Sequence, residues 1–285
     1  MPPLPTARAL RYVTPLREGG SLPAIVETDR GLAVVKFRGA GQGARALVAE
    51  LIVGGIAQAL GLPLPEMTLV EAGDDFGQAE PDPEIQDILR GSRGLNVGLG
   101  YIEGAFPYDP VAASDLVAPD LAADIVWLDA LTTNIDRTAR NPNLLVARGE
   151  TDAEARLWLI DHGAALYFHH NWDAVDTARA RAPFAPIRDH VLLPIAGSIT
   201  EADARLVDRL GEREIERVLA QIPDALFMDA PDGRTPPFGS AEANREAYAR
   251  YLRDRLGAPR AWVEATEAAR LALADTDDAP LAYRR

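Results

Sequence analysis

The chain of 285 residues contains no cysteine and a single lysine. Without thiols it can build neither a disulfide framework nor a thiolate metal centre, and that composition suits a reducing cytoplasm. Long apolar runs are missing too. The stretch from Leu51 to Pro65 is too short to span a bilayer and is punctuated by Gly54, Gly55, Gly61 and Pro63. The start, Met1 to Leu10, is rich in proline and has no basic segment leading into an apolar core, so no signal peptide is expected. Positive charge is scarce: 29 basic residues face 43 acidic ones, a net charge of −14. That balance argues against general affinity for nucleic acid, which runs on Lys and Arg. The expectation is a soluble cytoplasmic protein without a membrane partner.

What is present is ordinary globular composition, 47% apolar and 25% charged, in a chain long enough for one large domain or two lobes. The scarcity of lysine carries information. Of the 29 basic residues, 28 are arginine, and the exception is Lys36. A chain this biased has arginine wherever a generic cation suffices. A position that keeps lysine points to a need for a compact charge on a flexible stem, which the planar guanidinium does not supply.

Two short β-type runs, Pro23 to Thr28 (PAIVET) and Leu32 to Phe37 (LAVVKF), flank Asp29, Arg30 and Gly31 and read as a hairpin. Apolar residues at helical spacing from Ala44 to Leu60 predict a helix that Gly61 stops. Met67 to Glu71 and Gly94 to Ile102 read as strands, with an acidic, turn-rich surface insertion at residues 72–88 between them. A proline-bearing connection, Gly104 to Ala118, holds the expected boundary, giving units at 1–104 and 105–285. Beyond it come a helix over Leu121 to Thr133 and a polar loop from Asn134 to Asn143. Strands follow at Leu144 to Ala147 and Arg156 to Ile160, joined by a turn over residues 148–155. The remainder reads as helical. Thr200 with Asp203 resembles a cap for a helix over Ala204 to Ala220, Ser240 caps another reaching Leu256, and a last one runs from about Pro259 to Leu273.

Chemistry enters through residues in unfavourable company. Lys36 lies among Val34, Val35 and Phe37, and Glu50 among Val48, Leu51, Ile52 and Val53. An ionised carboxylate in apolar surroundings needs a partner, and the sole lysine, fourteen residues earlier, is the candidate. A strand lysine held by a helix glutamate is how protein kinases grip nucleotide phosphates. The loop Asn134-Ile135-Asp136-Arg137-Thr138-Ala139-Arg140-Asn141-Pro142-Asn143 offers Asp136 to orient or deprotonate a hydroxyl, and an amide oxygen for a metal ion. Counting five residues on from Asp136 selects Asn141, whereas register with the Leu144 strand selects Asn143. Asp161-His162-Gly163 closes the following strand and adds a second hard oxygen ligand, a set that suits Mg²⁺ bridging ATP phosphates. Arg137 and Arg140 serve equally as phosphate contacts or as partners of neighbouring acids. Of four histidines, His162, His169 and His170 fall within nine residues, but without a cysteine or a helix-spaced pair they make a poor transition-metal set.

The order of these pieces, with VVKF, AELIVGGIAQALGLPLPE, NIDRTARNPNLLV and LWLIDHGAALYFHH, resembles the HipA-like kinases over roughly residues 10 to 225. The resemblance implies an α+β, two-lobed protein-kinase-like fold, with a small β-rich N-lobe and a larger, mostly helical C-lobe. It implies an ATP- and Mg²⁺-dependent phosphotransferase acting on a hydroxyl acceptor, a protein Ser/Thr or a small molecule. By it, Lys36 sits on the ATP phosphates with Glu50 as partner, Asp136 is the catalytic aspartate, and Asp161 with Asn143 or Asn141 binds magnesium. Gly19, Gly20 and Ser21 stand where the phosphate-covering loop belongs, without the spaced glycines of ordinary protein kinases. The HipA prototype pairs with a DNA-binding antitoxin, and no such regulatory partner is evident in this sequence. Two other readings compete: a catalytically idle nucleotide-binding module, and a metal-dependent hydrolase built on the His/Asp cluster around Asp161.

Overall fold

The computed structural model describes residues 3–16, 22–41, 43–78, 80–147, 155–229 and 237–274. The protein is mixed α+β. Five strands, β1 (Thr6–Pro15), β2 (Ala24–Thr28), β3 (Gly31–Lys36), β4 (Met67–Ala72) and β5 (Gly94–Gly100), close into a barrel in the order β1-β2-β3-β5-β4. All pairings are antiparallel except β1 with β4. The expected hairpin is β2–β3, with Ile25 opposite Val34.

Side chains alternate across a strand, and here the alternation separates two cores. Val26, Ala33, Val35 and Val70 fill the barrel with Ile85 and Leu89. Leu69, Val97 and Leu99 face outward onto the main core. Lys36 is paired with Val97, and so projects from the barrel toward the helix that follows. That helix, α1 (Ala44–Leu60), ends at Gly61 in the left-handed conformation, φ 73°, as the sequence reading expects. It is apolar all round and buried along nearly its whole length, the pattern of a helix inside a core rather than on a surface. Two adjacent glycines allow the packing. A Cβ on Gly54 would stand 2.4 Å from Met67 Sδ on β4, and one on Gly55 would stand 2.7 Å from Val218 Cγ1 across the core.

Two elements depart from the sequence reading. The proline-bearing start is the ten-residue strand β1, which closes the barrel. The acidic 72–88 insertion contains most of a helix, α2 (Pro83–Gly91), capped where Asp82 accepts the Glu84 N–H at 3.0 Å. Ile85 and Leu89 of α2 are buried against the barrel core.

Beyond Tyr101, a short strand β6 (Phe106–Pro107) and the helix α3 (Pro119–Thr132) lead to the polar loop. Strands β7 (Leu144–Ala147) and β8 (Arg156–Leu159) form the second hairpin, with Leu144 opposite Leu159, and β6 joins as its third strand. The proposed turn between β7 and β8 lies outside the described residues, except for Ala155. Helices α4 (Thr177–Arg181), α5 (Ile199–Leu206), α6 (Glu212–Ala220), α7 (Asp224–Phe227), α8 (Ala241–Leu256) and α9 (Ala261–Ala274) complete the chain. The single helix expected over Ala204 to Ala220 is in fact two, α5 and α6, separated by the residues around Gly211. Its cap is Ser198, whose hydroxyl accepts the Glu201 N–H at 3.2 Å, and Thr200 lies inside α5. Among the described residues no helix is long and apolar enough to cross a membrane.

Candidate active site

Three elements far apart in sequence meet at one ammonium group. Lys36 Nζ at the end of β3 donates to Glu50 Oε2 of α1 at 2.7 Å and to Asp161 Oδ1 at 2.6 Å. Glu50 is fully buried, and the same oxygen accepts the His162 backbone N–H at 2.7 Å. One carboxylate thereby ties β3 to the turn after β8. Burial alone would lower the Lys36 ammonium, but the facing Glu50 and Asp161 carboxylates hold it above its ordinary value. Burial likewise pushes Asp161 upward, and the Lys36 charge overrides this and keeps the acid below its ordinary value. Lys36 and Asp161 are therefore both charged at neutral pH.

Asp136 occupies the loop between α3 and β7, where Thr133 ends α3 in the left-handed region at φ 53°. The Asp136 N–H donates to Asn134 Oδ1 at 3.1 Å. Asp136 Oδ2 accepts from Asn141 Nδ2 at 2.8 Å and from Asn143 Nδ2 at 3.2 Å. The two asparagines are otherwise placed differently. Asn141 is exposed. Asn143 is buried, and its carbonyl accepts the Ile160 N–H at 3.1 Å, so it stands beside the residue that precedes Asp161. Its amide nitrogen is committed to Asp136, while its Oδ1 meets no donor among the described residues. With the Asp161 carboxylate, one-third exposed at its side chain, that leaves two hard oxygen donors on neighbouring strand ends, a type of donor that fits Mg²⁺.

Beneath the loop lies a buried network. Asp129 of α3 accepts from Asn134 Nδ2 at 3.0 Å, Arg137 Nε at 2.5 Å and His190 Nε2 at 2.9 Å. Burial favours the neutral acid, but the Arg137 charge and the His190 bond hold Asp129 well below the usual carboxylate range. His190 Nδ1 accepts the Leu192 N–H at 3.0 Å, which leaves the ring proton on Nε2, facing Asp129. Arg137, 1% exposed, is thus an internal ion pair and is closed off from any phosphate. Arg140 is exposed.

The remaining histidines are packing residues. His162 is fully buried beside Asp161, and burial takes its imidazole down to about 4. His169 Nδ1 lies 2.9 Å from the Tyr248 hydroxyl, and the rings of His169 and His170 meet edge to face. Among the described residues no three His, Asp or Glu side chains gather as a metal-ligand set. A cavity of about 280 Å³ between Trp172, Phe238 and Tyr251 contains none of the expected site residues. Gly19, Gly20 and Ser21 lie outside the described residues.

Sequence reasoning placed Lys36, Glu50, Asp136, Asn141, Asn143 and Asp161 in one region but passed over Asp129, Asn134 and His190. The signal for Asp129 was available: it sits in Ile125-Val126-Trp127-Leu128-Asp129-Ala130-Leu131, the same anomaly that singles out Glu50.

Comparison with known proteins gives a consistent answer. No curated protein matches the sequence significantly. Among solved structures, the Helicobacter pylori proinflammatory kinase CtkA is similar with a TM-score of 0.54, at 14% identity, over 95% of this chain and 100% of that one. At that identity the likeness speaks of fold alone. The family described as HipA-like kinase matches residues 13–249. Since that match takes in most of the sequence, the chain belongs to the HipA-like kinase family.

Proposed function

We propose that this protein transfers the γ-phosphoryl group of ATP to a hydroxyl, on a protein Ser or Thr, with Mg²⁺ as the accompanying ion. The observation that carries this reading is Lys36 Nζ, at 2.7 Å from Glu50 and 2.6 Å from Asp161. Its cation stands between a buried anchor and a candidate metal carboxylate, where the negative charge of a triphosphate is to be received. The two-lobed arrangement follows, with residues 1–104 as the nucleotide-gripping lobe and 105–285 as the catalytic one.

In this reading Glu50 holds Lys36 against the phosphates. Asp161 and Asn143 would hold a magnesium ion, which would supply charge neutralisation for the phosphates. Asp136 orients the acceptor hydroxyl and takes its proton, and the amides of Asn141 and Asn143 keep that carboxylate aimed. Asn141 thus steadies the catalytic aspartate, and Asn143 has the better claim as metal ligand. Gly19, Gly20 and Ser21 are the candidate cover for the phosphates. The protein works in the cytoplasm, and the net charge of −14 favours a basic acceptor surface.

The test is incubation with Mg²⁺ and γ-labelled ATP, alone and with cell extract, beside Asp136→Asn. We expect label transfer to fall on the order of a hundredfold or more in the variant. ATP binding without transfer by the unaltered protein overturns catalysis in favour of an idle nucleotide module. Release of inorganic phosphate that survives Asp136→Asn points to a hydrolase.

A further inference from the structure

Arg137 lies directly after the candidate catalytic aspartate, yet it reaches toward the metal side of the site through the protein interior. Its Nε donates to Asp129 at 2.5 Å. Its Nη1 donates to the carbonyls of Asn143 and Ile160, the latter at 3.2 Å. Its Nη2 lies 3.1 Å from His162 Nδ1. One guanidinium therefore grips the carbonyl of Asn143 itself, the carbonyl just before Asp161, and the ring just after it. Because an arginine only donates, His162 Nδ1 is the acceptor and its ring proton resides on Nε2.

Asn143, and Asp161 between the other two contacts, both have unusual backbones, as Leu22, Thr133 and Leu166 also do. Asn143 has φ 49° and Asp161 has φ 56°, both in the left-handed region. That region is costly for residues with a side chain and persists where the surroundings over-determine it. These dihedrals aim the amide of Asn143 and the carboxylate of Asp161. One peptide unit flanking each of these residues is bonded to Arg137.

We infer that Arg137, held by Asp129, is a positioning residue that fixes the relative placement of Asn143 and Asp161, and so sets the affinity of the site for its divalent ion. This rests on the proposed metal role of those two residues. It differs from an ordinary buried ion pair in consequence: a pair that only stabilises the fold can be weakened without altering ion binding. Lysine cannot substitute, because a single ammonium cannot span a carboxylate, two carbonyls and an imidazole in one plane.

The experiment uses Mn²⁺ as the paramagnetic probe. Its binding to the whole chain with ATP is followed by electron paramagnetic resonance, with thermal unfolding measured in parallel. Four proteins are compared: the unaltered chain, Arg137→Lys, Asp129→Asn and Asp161→Asn. We expect Arg137→Lys to raise the Mn²⁺ concentration for half-saturation at least tenfold, with metal-free ATP binding changed less than twofold. Asp129→Asn, which keeps one oxygen for Arg137, should give a smaller rise. A folded Arg137→Lys protein that takes up Mn²⁺ like the unaltered one overturns the inference. If that variant does not fold, Asp129→Asn decides: unchanged Mn²⁺ uptake in it overturns the inference equally. Should Asp161→Asn leave Mn²⁺ uptake unchanged, the metal assignment beneath the inference fails, and that outcome is separate from the other two.

Discussion

Lys36 is the residue on which most of the site converges. It bonds Glu50, which has no exposed surface, and Asp161, whose side chain is two-thirds covered. Removing one member of a buried ion pair typically costs about 3–5 kcal/mol, because the remaining charge stays desolvated. Lys36→Met should therefore lose about 3 kcal/mol in urea denaturation and lose ATP binding as well. Adding Glu50→Gln should restore part of the stability and none of the binding. A Lys36→Met protein as stable as the original would show that the two carboxylates do not depend on the ammonium. This residue was legible from composition, since a lone lysine among 28 arginines marks a position where point charge matters. Asp129 was equally legible by its apolar neighbours. Arg137 was legible only as a loop arginine able to meet phosphate or pair with an acid, because nothing in NIDRTARNPN tells whether its side chain turns outward or inward to Asp129.

Among the elements, helices and strands with clean punctuation were readable almost to the residue. Helix α1 ends at Gly61, α8 starts after Ser240, and β7 begins after Asn143. Strand β1 was not readable, because most of its side chains are exposed and its arginines blur the apolar alternation. Helix α2 had its signals, Asp82 as cap, Pro83 at the first turn and Ile85 with Leu89 four apart, but acidic neighbours hid them. The misplaced cap of α5 gives a direct check. Ser198→Ala should lower stability by about 1 kcal/mol, while the exposed Thr200→Ala should leave it nearly unchanged. Equal losses in the two variants, measured by urea denaturation, would put the helix start at Thr200 after all.

At the scale of the whole molecule, pH separates two groups of buried titratable residues. Burial drives His162, His169 and His190 below the ordinary imidazole range, His162 to about 4 and His169 well below 6.5. The folded protein keeps these rings neutral, whereas an unfolded chain protonates them near pH 6.5. Stability is thus full above about 6.5 and is lost as pH falls below it, through the window in which only the unfolded state takes up protons. Asp129 and Asp161 are held below the ordinary carboxylate range, so their contribution persists above about pH 4 and is lost only in stronger acid. We expect the melting temperature to drop between pH 7 and pH 5, and His169→Gln to make that drop shallower. An unchanged slope in the variant would remove His169 from the acid response.

The glycine pair of α1 reaches further than packing. Gly54 seats the helix on β4 and Gly55 seats it on α6, so Glu50 rides on an axle clamped at both bearings. A kinase whose glutamate helix swings can be idled by rotating that arm away from the lysine. Here such a toggle would tear open two packed surfaces at once. On the proposed reading, control is therefore expected at Asp136 and Asp161 themselves, by occupying or reshaping what the substrate needs, rather than through the helix.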